Sequence, residues 1–379
     1  MSVAADLPLL DQHCHGVMHE AFARRDFESL LTEADAPGPW HGSLFDTQVG
    51  FAVRSMCAPV LDLPPGADPE TYLARRAELG GPEVARRLFA ELGITAFCVD
   101  TGLLPDRVTP PDELAQLAGG AARGVTAHEV TRLEHVAEQV MCESEPGAFA
   151  DELRGRLERC AKTSVGFKSI AAYRGGLDLD PARPDDAEVR AAVERWRRDI
   201  DAERRVRCAD PVLQRFLIWS AVDLGLPLQF HVGYGDPDVD LHRCDPLLLT
   251  PLLRATAGTG ARVMLLHNYP FQRHAGYLAQ VFDHVFVDVG LALHNVGARA
   301  SVVLAELLEL APFGSVLFSS DAFGLAELYY VAVTRFRDAL GDVLDDGLRR
   351  QEWSAGEAER IAMMICEGNA RRAYGLARP

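Results

Sequence analysis

The sequence predicts an α/β fold of the (β/α)8, or TIM-barrel, class, and three observations carry that prediction. Eight short apolar runs of strand length alternate with longer stretches of helical periodicity. Short apolar runs followed by amphipathic helices imply parallel strands joined by crossovers. Five of the runs, Leu9–His15, Val165–Ile170, Leu228–His231, Val263–His267 and Val316–Asp321, carry a residue able to bind a divalent metal. In a barrel the C-terminal strand ends meet at one mouth, so these residues would converge.

In chain order the strand candidates are Leu9–His15, Thr95–Thr101, Thr126–Leu133, Val165–Ile170, Leu228–Val232, Val263–His267, Val285–Val289 and Val316–Ser320. Helical periodicity covers Glu70–Leu92, Pro111–Ala118, part of His135–Ala161, Asp186–Glu203, Pro211–Leu224, Pro246–Ala257, Ala298–Leu310 and Leu325–Leu340, and a last helical stretch, Ala355–Ala373, closes the C-terminus. There is no internal repeat and no low-complexity tract. Two segments exceed a minimal barrel. Residues 20–65 separate the first strand from its helix and include Pro37, Gly38, Pro39, Trp40, Gly42, Pro59, Pro64 and Pro65, so they are expected to be largely irregular, a lid inserted over the mouth. Tyr173–Pro184, rich in Gly, Asp and Pro, follows the strand of Lys168. The expected organisation is one barrel domain over 1–379, since ~250 residues is typical of a closed barrel and insertions account for the rest.

Composition excludes several function classes. With 48% hydrophobic residues the chain can bury a large core, while a formal charge of −17 opposes binding to a phosphate backbone, and no basic stripe with interleaved aromatics offsets it. The start, MSVAADLPLL, lacks a basic leader, and nowhere do roughly 18 uncharged apolar residues run together. The expectation is a soluble cytoplasmic protein with a small-molecule partner, no nucleic acid and no membrane, homo-oligomerisation being left open. Eight cysteines without CxxC pairs read as reduced, mostly core thiols.

Side chains alternate across a strand, so His13 and His15 are expected on one face with Asp11, and Cys14 on the other. Two imidazoles on one face make a ready chelate. Lys168 is one of two lysines, with Lys162, and lies in an apolar run where a bare ammonium is costly. Each candidate has a plainer reading: a histidine at a strand end is commonly a hydrogen-bonded structural residue, a buried lysine can pair with a carboxylate, and Asp321 can cap the helix that AFGLAELYY begins. The joint pattern at five strand ends favours a shared metal centre.

The segments DQHCH (11–15), VGFKSIAAYR (165–174), LQFHVGYGD (228–236), LLHNYPF (265–271) and FSSDA (318–322) resemble the amidohydrolase superfamily, and within it the family 2 metal-dependent hydrolases. VGFKSIAAYR followed by HVGYGD also resembles the branch whose relatives are fused to glutamine-synthetase-like domains, of which none is expected here. The resemblance implies a barrel of the metallo-dependent hydrolase type that cleaves a C–N or C–O bond, in an amide, ester or lactone, with a metal-activated water. It implies His13, His15 and Asp321 as ligands of the more buried of two metals, His231 and His267 as ligands of the more exposed one, and Lys168 as the bridge, carboxylated by carbon dioxide. Asp321 would be both ligand and general base. Zinc ranks first, with iron or manganese compatible, because imidazole and carboxylate serve all three.

Outer residues take substrate roles. Arg174 would grip a substrate carboxylate or pair with Asp178 or Asp180, Tyr234 and Asp236 would touch substrate or shape the loop, and Asp288 and His294 are supporting or substrate groups. Trp40 and Phe45 would cap an apolar substrate or anchor the lid. His19, His242, His274 and His284 are read as surface or structural. The same barrel and ligands also support an isomerase or decarboxylase, a non-haem diiron monooxygenase, or a non-catalytic binding protein.

Overall fold

Parallel strands β1 (Leu9–Cys14), β2 (Ile94–Asp100), β3 (Thr126–Arg132), β4 (Ser164–Ser169), β5 (Leu228–His231), β6 (Val263–Leu266) and β7 (Val285–Val287) form one sheet in that order in the computed structural model, which describes residues 4, 7–35, 38 and 40–377. Each strand lies within a residue or two of its predicted run. The eighth run, Val316–Ser320, differs from expectation. It makes one parallel bridge, Val316 to Val287, and otherwise single backbone hydrogen bonds: Leu317 N to Val287 O at 2.9 Å, Gln12 N to Phe318 O at 3.0 Å and Asp321 N to His13 O at 3.0 Å. Those bonds close the barrel between β7 and β1. The ladder is irregular because a side chain takes the place of a backbone partner: Asp11 accepts from Ser320 N at 2.9 Å and from Ser320 Oγ at 2.5 Å.

The barrel interior is filled by Leu10, Ala96, Cys98, Val130, Met264, Leu266, Phe286 and Leu317, and Ala370, Ala373 and Tyr374 of the final helix pack into the same cluster. The larger core lies between strands and helices and includes Phe97, Phe167, Phe230 and Phe318. Among the described residues no helix is long and apolar enough to cross a membrane.

Helices Asp186–Glu203 and Pro211–Leu224 match their predicted bounds, each started by an aspartate cap, Asp185 and Asp210. The run Glu70–Leu92 is two helices, Pro69–Leu79 and Gly81–Ala90, because Gly80 at φ 77° ends the first. The helix Gln272–Val281 between β6 and β7 is not legible in the periodicity. Its Gly276 lowers helix propensity, and a Cβ there would meet Leu307 O at 2.7 Å, so the glycine permits close packing on the helix Ala300–Leu308.

Residues 20–65 are more ordered than expected. They form the helix Arg24–Ser29, short turns at Leu44–Asp46 and Pro59–Leu61, and a helical stretch over Gln48–Ala52 and Val53–Cys57. Burial overrides the proline content: Phe27 and Phe45 are fully buried and stacked with centroids 5.5 Å apart, and Tyr72 packs on Phe27 at 6.2 Å. Phe45 is therefore an anchor, whereas Trp40 is 96% exposed and neither caps nor anchors anything. Pro37 and Pro39 lie outside the described residues.

Candidate metal centre

The β1 register is irregular between Asp11 and Cys14, and this sets the centre. Strict alternation fails there. Gln12 and His13, adjacent in sequence, reach one inner network, because Tyr374 Oη donates to Gln12 Oε1 at 2.6 Å while Gln229, which donates to the same hydroxyl, presents Oε1 2.8 Å from His13 Nδ1. Asp11 does not share the histidine face and bonds Ser320 instead. Cys14 turns away as expected, its thiol 3.7 Å from Cys98 O.

The orientation of Gln229 fixes the state of His13. Its amide nitrogen is committed to two acceptors, Gln12 O and Tyr374 Oη, each at 2.8 Å, so its oxygen faces His13 and Nδ1 must carry the proton. Nε2 of His13 is then a bare lone pair. It lies 3.0 Å from Asp321 Oδ1, with His15 Nε2 3.5 Å from the same oxygen and His267 Nε2 3.3 Å from Oδ2. His15 is oriented by its other nitrogen, 3.1 Å from Asp100 O. Lys168 Nζ lies 3.5 Å from His13 Nε2.

Five of the six expected ligands thus converge. His231 stands beside His267, ring centroids 4.9 Å apart, but its Nε2 faces Tyr234 O at 3.1 Å and its Nδ1 the Tyr173 hydroxyl at 3.4 Å. Asp321 is not a helix cap. The following helix begins at Ala326 with Leu325 as its N-cap, and the Asp321 carboxylate faces the histidines. Both His267 (φ 72°) and Asp321 (φ 51°) hold left-handed backbone, which non-glycine residues rarely adopt and which persists where surroundings enforce it.

Burial pulls His13 down to about 4 and His231 to about 3, with Lys168 adding to both, and holds His267 well below its ordinary value. Neutral imidazoles are the metal-binding form. Burial opposes ionisation of Asp321, yet His267, His13 and His15 together hold it well below the carboxylate range. Burial brings Lys168 down to about 8, against Asp321 and Asp100, which favour its charged form. Neither ring nitrogen of the fully buried His267 makes a well-directed hydrogen bond among the described residues. His13, His267 and Asp321 form one group close enough to hold a cation and His13, His15 and Asp100 another, and with the His267 ring unsatisfied this is a donor set that fits a divalent cation.

A cavity of about 420 Å³ adjoins the centre and is lined by His13, His15, Lys168, His231 and Asp321 together with Leu30 to Glu33 of the 20–65 segment. Arg174, Asp236 and His294 line it as well. Tyr234 does not: its hydroxyl donates to Leu291 O at 3.0 Å and accepts from Asn295 at 2.9 Å, shaping the loop. Asp288 supports from behind, accepting from His267 N at 2.8 Å and Gln12 Nε2 at 2.5 Å. Arg174 pairs with Glu138 at 3.2 Å, while Asp180 pairs with Arg215.

Sequence reading missed Asp100, Arg132, Tyr173 and Glu33. Asp100 and Arg132 end β2 and β3 and pair at 2.6 Å, and their position at strand ends was the available signal. Nothing local marks Glu33.

Residues 142–376, more than half of the chain, match the Amidohydro_2 family, described as amidohydrolase, and the chain belongs to that family. A protein of Lactobacillus casei assigned as a metal-dependent hydrolase shares 30% identity at a TM-score of 0.85, covering 98% of this chain and 96% of that one. A uronate isomerase of Bacillus halodurans shares the fold, at 15% identity and a TM-score of 0.64, over 99% of this chain and 95% of its own. Protein fluG of Emericella nidulans is 33% identical over 224 residues, 56% of this chain and 26% of that protein, so the match spans about a quarter of this curated relative.

Proposed function

We propose that this chain is a metal-dependent hydrolase that cleaves an amide, ester or lactone bond of a small molecule with an activated water. The observation that carries this reading is the approach of His13, His15 and His267 to one carboxylate, Asp321, at 3.0 to 3.5 Å. His13, His15, Lys168, His231, His267 and Asp321 would hold one or two divalent ions, zinc first, with iron or manganese as alternatives. A bound divalent cation supplies Lewis acidity, to water and to a carbonyl alike.

Asp321, ionised and faced by the imidazoles of His13, His15 and His267, accepts the proton of the attacking water. Burial leaves part of the Lys168 amine uncharged near neutral pH. That amine adds to carbon dioxide: an N–C bond forms, a proton leaves to solvent, and a costly buried cation becomes an anion suited to bridging. Arg174, Asp236 and His294 contact substrate, as their place in the cavity supports. The net charge of −17 supports a cytoplasmic, small-molecule role without nucleic acid.

Metal analysis of the purified protein, followed by amide, ester and lactone substrates with oxygen uptake monitored, tests the reading. Zinc or manganese with hydrolysis and no oxygen uptake is expected. Iron with oxygen consumption, or isomerisation of a sugar acid without hydrolysis, would replace it.

A further inference from the structure

The cavity beside the metal centre holds unmatched groups of both signs. Arg174 is mostly buried, pairs only through Nη2, with Glu138, and leaves Nε without a partner among the described residues. Arg205, exposed at the rim, lines the same cavity and makes no hydrogen bond or ion pair among the described residues, whereas Arg207 is matched to Asp238 at 2.7 Å and to Tyr173 O at 2.5 Å. On the acidic side, Glu33 makes no hydrogen bond or ion pair among the described residues, and Asp236 accepts only the amide of Asp238, at 2.8 Å. Burial, with the negative charges of Asp321 and Asp236, pushes Glu33 up to about 7. Burial also lowers Arg174, with Arg207 adding to it against Glu138. His294, 2% exposed, lines the cavity with neither ring nitrogen partnered.

Buried polar groups without partners are costly and rare in folded proteins, so Arg174 Nε and His294 mark what the cavity receives, with Glu33 and Asp236 part-buried beside them and Arg205 at the open rim. A plain dicarboxylate would answer the arginines but repel Glu33 and Asp236. A plain amine would do the reverse. A ligand that answers both carries an anion and a cation on one small frame, and 420 Å³ suits a molecule of that size.

We propose that the substrate is an amino-acid derivative bound by its zwitterionic head, the carboxylate at Arg174 and Arg205 and the ammonium at Glu33 and Asp236, with the scissile amide or ester on its side chain. The side chain is the remaining place for that bond, because both α-groups are free in such a head. His294 supplies a neutral donor or acceptor to the same ligand. The inference rests on the hydrolase reading for the bond broken but not for the head recognised, so the two are tested separately.

For recognition, zinc-loaded protein is titrated calorimetrically with aspartate, glutamate, glutarate and 4-aminobutyrate. Binding of an amino acid at least ~10-fold tighter than of glutarate or 4-aminobutyrate is expected, since each missing head group leaves a buried partner unmatched. Glu33→Gln should narrow the preference over glutarate, and Arg174→Gln the preference over 4-aminobutyrate; circular dichroism confirms that each variant is folded. For the reaction, side-chain 4-nitroanilides of aspartate and glutamate are compared with their N-acetyl and α-methyl ester forms, and the free-headed forms should show at least ~10-fold higher kcat/KM. Selective amino-acid binding without hydrolysis of any probe sustains the head assignment and defeats the hydrolase reading. Equal hydrolysis of capped and free forms defeats the head assignment alone. Binding of glutarate as tight as glutamate, or no binding of any of the four, overturns it.

Discussion

Gln229 presents its side-chain oxygen to Nδ1 of His13 at 2.8 Å, and Tyr374 of the last helix holds Gln229 in that orientation from 2.8 Å on the other side. The C-terminal helix is thereby coupled to a metal-site imidazole through two hydrogen bonds. Gln229→Leu should weaken metal affinity by about 10 to 100-fold while the fold persists, as expected when the partner orienting a liganding histidine is lost. Tyr374→Phe should act in the same direction and more weakly, because Gln229 keeps its bond to Gln12 O. Chelator competition at fixed pH measures both, and unchanged affinity in Gln229→Leu would show that His13 needs no such orientation.

Asp321→Asn separates proton transfer from architecture. The carboxylate caps no helix, and asparagine tolerates the left-handed backbone at φ 51°, so melting temperature should move little. Turnover should fall at least ~100-fold, as for loss of a general base. A variant that retains kcat would remove Asp321 from the proposed mechanism.

Lys168→Ala should lower metal content and activity, and a short carboxylic acid added with metal should restore part of it by replacing the bridging oxygens. Lys168→Arg should not respond, since guanidinium forms no carbamate. Full activity of the alanine variant without added acid would mean that the lysine serves packing.

Glu33 gives the metal-free protein a pH-dependent liability. Its folded value, about 7, exceeds the ordinary 4.5, so the folded state resists its ionisation. Stability is therefore lost as pH rises from about 4.5 through 7, then stays level. Glu33→Gln removes that loss: the two proteins should unfold alike at or below pH ~4, and above pH ~8 the variant should be more stable by on the order of 1–3 kcal/mol. Denaturant titrations at the two pH values check it, and an equal difference at both would refute the assignment.

The barrel and most of the centre are legible in the sequence because both are written in local pattern. A strand ending in HCH, LLH or SSD states its own chemistry, and parallel strands bring those ends together without further instruction. Pairings between elements are not legible. The Asp100 and Arg132 pair joins two strand ends that each look like an ordinary terminus, and Glu33 reaches the cavity only because Phe27 and Phe45 anchor the segment that carries it. The Asp11 reading failed for a related reason: strict alternation assumes a regular register, and β1 departs from it between Asp11 and Cys14.

The burial of Lys168 in a chain whose other lysine, Lys162, is exposed makes its chemical state directly observable. Lysine labelled with carbon-13 at the side chain reports only two sites, one exposed to solvent and one buried beside His13. Acylating reagents should mark Lys162 in the native protein and reach Lys168 only after unfolding. A carbonyl signal appearing when labelled carbon dioxide is supplied, and lost in Lys168→Ala, would identify the carbamate without any substrate in hand.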